Sequence, residues 1–165
     1  MKAFSLLAVL LISISFVSCD DVEDKSPNQL SGTWEDRFYV DSVDYWVVNT
    51  LEFKSENQYQ FRTTVRQTET GSDLGYRFYY DDSYEWDGET FSYSPDLASW
   101  IDHREENFYV PKEELNAGII DYFRMPTASL VFEENNTKMI FQENCQEDLL
   151  PCEDPFEVKE YVRVY

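Results

Sequence analysis

Residues 58–68 read QYQFRTTVRQT, and the spacing of their apolar side chains decides the fold. Tyr59, Phe61, Thr63 and Val65 fall two apart, whereas a helix would repeat every three to four residues. On an extended chain they share one face and the charges take the other, which describes a half-buried strand. The same period returns in TWEDRFYV (33–40), YWVVNTLEFKS (45–55), LGYRFYYDDSYEW (74–86), ETFSYSP (89–95), ASLVFEE (128–134), TKMIFQ (137–142) and EVKEYVRVY (157–165). Turn formers punctuate these segments: KSENQ at 54–58, GSD at 71–73, Asp87-Gly88 and Asn135-Asn136. Eight such segments joined as consecutive hairpins predict an antiparallel meander. Because open edges are a hazard, the expected fold is all-β, an up-and-down β-barrel of about eight strands.

The regularity breaks between residues 96 and 126. Within it, PKEELNAG (111–118) carries proline at a first-turn position, acids next and Gly118 after, which predicts one short helix or turn of about six residues. REENFYV, just before, could supply a further strand. NNT at 135–137 matches a glycosylation sequon, but turn chemistry accounts for it.

The N-terminus has a different character. Lys2 is the only charge before AFSLLAVLLISISF, an apolar run of the length of a secretory h-region and too short to span a bilayer. It leads through FVSC to Cys19 and the acids DDVED. FVSC resembles the lipobox of bacterial lipoproteins, with Phe16 where that family more often has leucine. The resemblance implies cleavage before Cys19, lipidation of its thiol and amine, and attachment made permanent by two or three acyl chains. The acids after Cys19 resemble an export signal that sends some Gram-negative lipoproteins to the outer face of the outer membrane. A solvated acidic tether is the alternative reading. The expected organisation is therefore a signal peptide at 1–18, a lipidated cysteine and flexible tether at 19–30, and one domain at 31–165, attached to the outer membrane and exposed at the cell surface, with the periplasmic face as the alternative.

The first strand segment contains Gly32-x-Trp34, and the last, YVRVY, contains Arg163. Together with the long strand, tight turn and strand of NTLEFKSENQYQF, these residues resemble the lipocalin-like domains of small bacterial lipoproteins. The resemblance covers residues 30–165 apart from the irregular stretch. It implies that Gly32, Trp34 and Arg163 close one end of the barrel, with the arginine packed over the tryptophan as a cation-π pair. Fold-level likeness carries no activity by itself.

With 13 basic against 33 acidic residues and a formal net charge of −20, the chain repels phosphate backbones, which argues against a nucleic-acid partner. Cys145 and Cys152 remain after Cys19, and an exported pair with six residues between them reads as a local disulfide, contributing roughly 2.5 kcal/mol in the chain-entropy view. Zinc would need further soft ligands, and the only histidine, His103, lies far off in a loop-like acidic stretch with no nucleophile motif beside it. The acids Asp81, Asp82, Glu85, Asp87 and Glu89 are dense enough to raise the question of calcium, but their spacing is not that of an EF-hand and a solvated turn explains them. The expectation is a monomer without metal, cofactor or catalytic residues.

Seven aromatics, Tyr76, Phe78, Tyr80, Tyr84, Trp86, Phe91 and Tyr93, fall mostly on one face of one hairpin. They can fill the barrel or line a site for one small ligand. Three functions remain open: a barrel binding a small apolar or aromatic ligand at its open mouth, an acidic module capturing a basic protein, and a glycan-binding accessory using a row of exposed aromatics.

Overall fold

A computed structural model describes residues 29–94, 99–102, 107–119, 127–144 and 158–165. Ten strands follow along the chain: β1 (Gly32–Val40), β2 (Tyr45–Phe53), β3 (Gln58–Arg66), β4 (Asp73–Trp86), β5 (Thr90–Ser94), β6 (Ser99–Asp102), β7 (Asn116–Ile119), β8 (Thr127–Glu133), β9 (Lys138–Glu143) and β10 (Val158–Val164). All pair antiparallel in one sheet, in the order β3-β2-β1-β10-β9-β8-β5-β4, and a β3–β4 pairing joins its two ends. The result is a barrel-like ring of eight strands, and those eight are the segments whose apolar residues repeat every second position.

β6 and β7 form a hairpin carried on β4 outside the ring. Strand β4 has 14 residues, enough to divide one edge: residues 83–86 pair with β5, 78–79 with β6, and Tyr76 bridges to Val110. Neither SWID nor NAGI shows a period, because four residues are too few to carry one. The short helix is a single 3-10 turn, Lys112–Glu114, rather than six residues. Pro111 precedes it as its cap, where a missing N–H costs nothing, and Leu115 already has extended backbone (ψ 144°) leading into β7.

Inside the ring, one end is packed solid with rings. Phe53, Tyr59, Tyr84 and Phe91 meet at centroid distances of 5.1–6.2 Å, mostly edge-on, and Phe141 and Tyr161 continue the contact. Leu30, Leu51, Ala128, Leu130 and Met139 fill the spaces between them. Trp34 is fully buried here and donates its indole N–H to the Leu30 carbonyl at 2.8 Å.

The seam between the first and last strands is fastened at this end. Trp34 lies opposite Arg163 in the β1–β10 register, and the guanidinium carbon stands 4.3 Å from the indole centroid. Arg163 also donates from Nη2 to the Gln29 carbonyl (2.5 Å), from Nη1 to that of Ser31 (3.0 Å) and from Nε to that of Asn136 (3.0 Å). One side chain thus joins the domain entrance, the β8–β9 turn and the last strand. Gly32 has φ +108°, a conformation that a side chain would strain, and it lets the chain enter β1 beneath the guanidinium.

The outer wall of β1–β3 carries a second charged cluster. Glu35 and Arg66, 5% and 8% exposed, form a two-pronged ion pair at 2.7 and 3.0 Å. Arg66 Nε reaches Asp73 at 2.6 Å, and Arg37 binds the same Glu35 carboxylate at 2.7 Å. Burial opposes ionisation of Glu35, but the hydrogen bonds and charges of Arg66 and Arg37 outweigh it and hold the carboxyl below its ordinary 4.5.

Two measurements test this account. Arg163→Ala removes the cation-π contact and three charge-assisted hydrogen bonds, and urea unfolding should show a loss of about 2–4 kcal/mol, with Arg163→Lys intermediate because lysine lacks the planar fork. For Glu35, a lowered folded-state pKa means that the stabilisation is complete above the unfolded value and disappears as pH falls through the folded one. The urea midpoint of the native chain should therefore drop below about pH 5, and Glu35→Gln should flatten that slope while costing about 1–3 kcal/mol at neutral pH.

Candidate functional site

Away from the Trp34 end, the interior changes from sealed hydrocarbon to a mixed surface. The register sets Asp36, Asn49, Thr63 and Phe78 opposite one another across β1, β2, β3 and β4. They point inward, since each lies two positions from Trp34, Leu51, Phe61 or Tyr80 on its own strand. Thr63 donates to Asn49 Oδ1 (2.9 Å), and Asn49 Nδ2 donates to Asp36 Oδ2 (3.1 Å), so the three side chains form one oriented relay. Beside them Phe61, Phe78 and Tyr80 form a triangle of rings with centroids 5.4–5.8 Å apart.

All six of these residues are only half-buried although they face the ring's interior, in contrast to Trp34, Tyr59 and Tyr84. Interior groups that keep contact with solvent border an opening on the β1 side, where the next inward residue, Phe38, is 44% exposed, whereas Val47 and Val65 at the same level of β2 and β3 are buried. Tyr80 accepts a hydrogen bond from the Tyr59 hydroxyl at 3.2 Å, which links the open half to the packed half. Tyr161, 2% exposed, has its hydroxyl pushed far above the usual 10, first by burial and then by the nearby Asp36 charge, so it stays protonated.

The irregular segment supplies an aromatic rim at this end. Tyr45, at the start of β2, stacks on Phe108 (6.0 Å, 13°) and meets Tyr109 edge-on (5.6 Å, 90°). Gly75 makes the close approach possible, because a Cβ there would stand 2.6 Å from the Tyr109 ring and 2.8 Å from the Val110 carbonyl. Arg77 lies over the Phe108 ring at 4.2 Å, and Lys112 over Tyr79 at 3.3 Å.

The seven hairpin aromatics divide accordingly. Tyr84 and Phe91 are core, at 2% and 0% exposure, and Trp86 packs its half-buried indole edge-on against Phe132. Phe78 and Tyr80 border the opening. Tyr76 is turned to the outer wall: Arg77 is an extra residue in the β3–β4 register, so Tyr76 lies opposite outward-facing Thr64. The Tyr93 side chain lies outside the described residues, as do Cys19, Cys145, Cys152 and His103.

Sequence reasoning missed Asp36 and Asn49. Their signal is a polar residue at an inward position of an apolar strand, as in WVVNTLEF, where burial of an amide calls for partners. The acids of DDSYEWDGE are engaged separately. Asp81 accepts from Lys54 (2.7 Å), Gln60 (3.0 Å) and the Tyr79 hydroxyl, whereas Asp87 accepts the backbone N–H groups of Glu89 (2.9 Å) and Thr90 (2.8 Å) in its turn. Among the described residues no three His, Cys, Asp or Glu side chains gather to hold a metal ion.

What the arrangement offers chemically is a few oriented donors and acceptors beside a patch of rings, the equipment of a pocket for a small molecule. No protein-family model, curated protein or solved structure matches this chain, so its function has to be argued from its own residues.

Proposed function

We propose that this chain is a non-enzymatic, lipid-anchored, lipocalin-like binding protein that takes a small ligand into the ring at the end opposite Trp34. The observation that carries the reading is the half-buried inner surface of Asp36, Asn49, Thr63, Phe61, Phe78 and Tyr80. An apolar or aromatic ligand would lie against the three rings, and one polar group on it would meet the Thr63–Asn49–Asp36 relay. The filled Trp34 end gives the pocket a floor, because a ligand there would have to displace packed side chains.

The anchor fits the same orientation. Acyl chains on Cys19 would hold the protein at the outer membrane, and the ten residues from there to Gln29 reach at most about 36 Å. Gln29 enters the domain beside Trp34 and Arg163, so a tether from Cys19 would attach at the closed end and leave the other end free of it. A net charge of −20 keeps such a surface soluble and unattractive to anions.

The test is native mass spectrometry of the full chain, purified from its own cells in mild detergent. A small-molecule mass should travel with the protein and be lost from Phe78→Ala and Thr63→Val, with affinity for the isolated ligand reduced by about tenfold or more. Both variants should unfold within a few degrees of the parent, while Tyr84→Ala, a core substitution, should cost about 3–5 kcal/mol. A protein that carries no small molecule, or a Phe78→Ala variant that retains it fully, would overturn the reading.

A further inference from the structure

A second concavity lies at the opposite end of the ring, outside the packed core, and its origin is topological. β5 pairs with β8 at only three positions, Thr90↔Ser129, Phe91↔Ala128 and Ser92↔Thr127, whereas β8 runs on to Glu133. The wall is therefore notched beyond Ser129, where among the described residues a 3.4 Å bond from the Leu130 N–H to the Glu89 carbonyl crosses the gap. The notch is a groove of about 500 Å³. That volume is enough for a ligand of one or two sugar rings.

Its walls are held by the fold. Asp87 caps one turn through two backbone N–H groups, and Gly88 takes φ +100°. Across the groove Glu134, Asn135 and Asn136 take three consecutive left-handed conformations (φ 52–63°), fixed by the Thr137 hydroxyl on the Glu134 carbonyl at 2.8 Å and by Arg163 on the Asn136 carbonyl. Such backbone persists only where its surroundings impose it. Gln29 Nε2 donates to Asn136 Oδ1 at 3.3 Å, which leaves Gln29 Oε1 to accept and Asn136 Nδ2 to donate.

The chemistry of the lining selects the ligand. Amides and hydroxyls come from Gln29, Asn136, Thr90 and Ser129, and Val131, 55% exposed, and Phe132 give an apolar strip between them. Glu89 is the one ionisable group among the described lining residues. Alternating hydroxyls and C–H faces, without net charge, answer to that surface. We infer that the β5–β8 notch binds a neutral, hydroxyl-rich ligand of saccharide type. This site is separate from the proposed interior pocket and does not depend on it.

The experiment titrates maltose, cellobiose and mannobiose into the full chain in a zwitterionic, sugar-free detergent. Phe132 touches both Trp34 (5.7 Å) and Trp86 (5.8 Å), so tryptophan emission reports occupancy, with saturation-transfer NMR as the second readout. At least one disaccharide should bind with a dissociation constant of about 1–10 mM. Val131→Arg, a substitution at an exposed position that leaves the core intact, should abolish the response, and Gln29→Ala should weaken it by about tenfold. Phe78→Ala, at the other end, should leave it unchanged. Binding that survives both groove variants, or no binding of any of the three sugars up to about 50 mM, would overturn the inference.

Discussion

The ring exists only if its last strand finds its first, and the contact that fixes this meeting is Arg163 on Trp34. The two residues come from opposite ends of the domain, so the closure joins distant parts of the chain at a large loop entropy. A plain backbone ladder between β1 and β10 would leave the register free to slip by two residues without changing which face is buried. A guanidinium that must reach the carbonyls of Gln29, Ser31 and Asn136 at once allows one register. Because the same arginine holds the entry to β1 and the β8–β9 turn, closing the seam also seals that end, and the aromatic floor of Tyr59, Tyr84 and Phe91 follows.

A floor at one end makes the two halves of the interior unequal. Near Trp34 the packing leaves no room, and rings meet rings at contact distances. Further along, the inward positions turn to Asp36, Asn49 and Thr63, short polar side chains that cannot fill the ring and that satisfy one another by hydrogen bonds. Had these three been leucines, the interior would be apolar from end to end. Their presence sacrifices some hydrophobic stabilisation for an oriented polar surface, the kind of local departure that marks a site rather than a core.

The eight ring strands were legible in the sequence because their alternation is strong and their turns carry the right residues, from KSENQ to Asn135-Asn136. Arg163 and Trp34 were legible through resemblance, and the structure sets them face to face. The division of the hairpin aromatics was not. A single extra residue at Arg77 reverses the phase of β4, and nothing in a period-two pattern announces a bulge, so Tyr76 looks equivalent to Phe78 until the β3–β4 register is known. Strands β6 and β7 were hidden by brevity, and the notch between β5 and β8 arises from unequal strand lengths, which depend on pairing rather than on composition.

Charge imposes a last constraint. With 33 acids against 13 bases, three cations on the described outer wall each serve two carboxylates. Arg66 holds Glu35 and Asp73, Arg37 reaches Glu35 and Glu69, and Lys138 lies between Glu133 and Glu160. The exposed pairs among these are screened by water and salt, so each contributes little on its own. Arg163 is placed differently, since it is spent on carbonyls and an indole instead of a carboxylate. In a chain this acidic, a cation held by neutral groups cannot be drawn away by a change in the ionisation of a partner, so the closure of the ring stands apart from the titration of its surface.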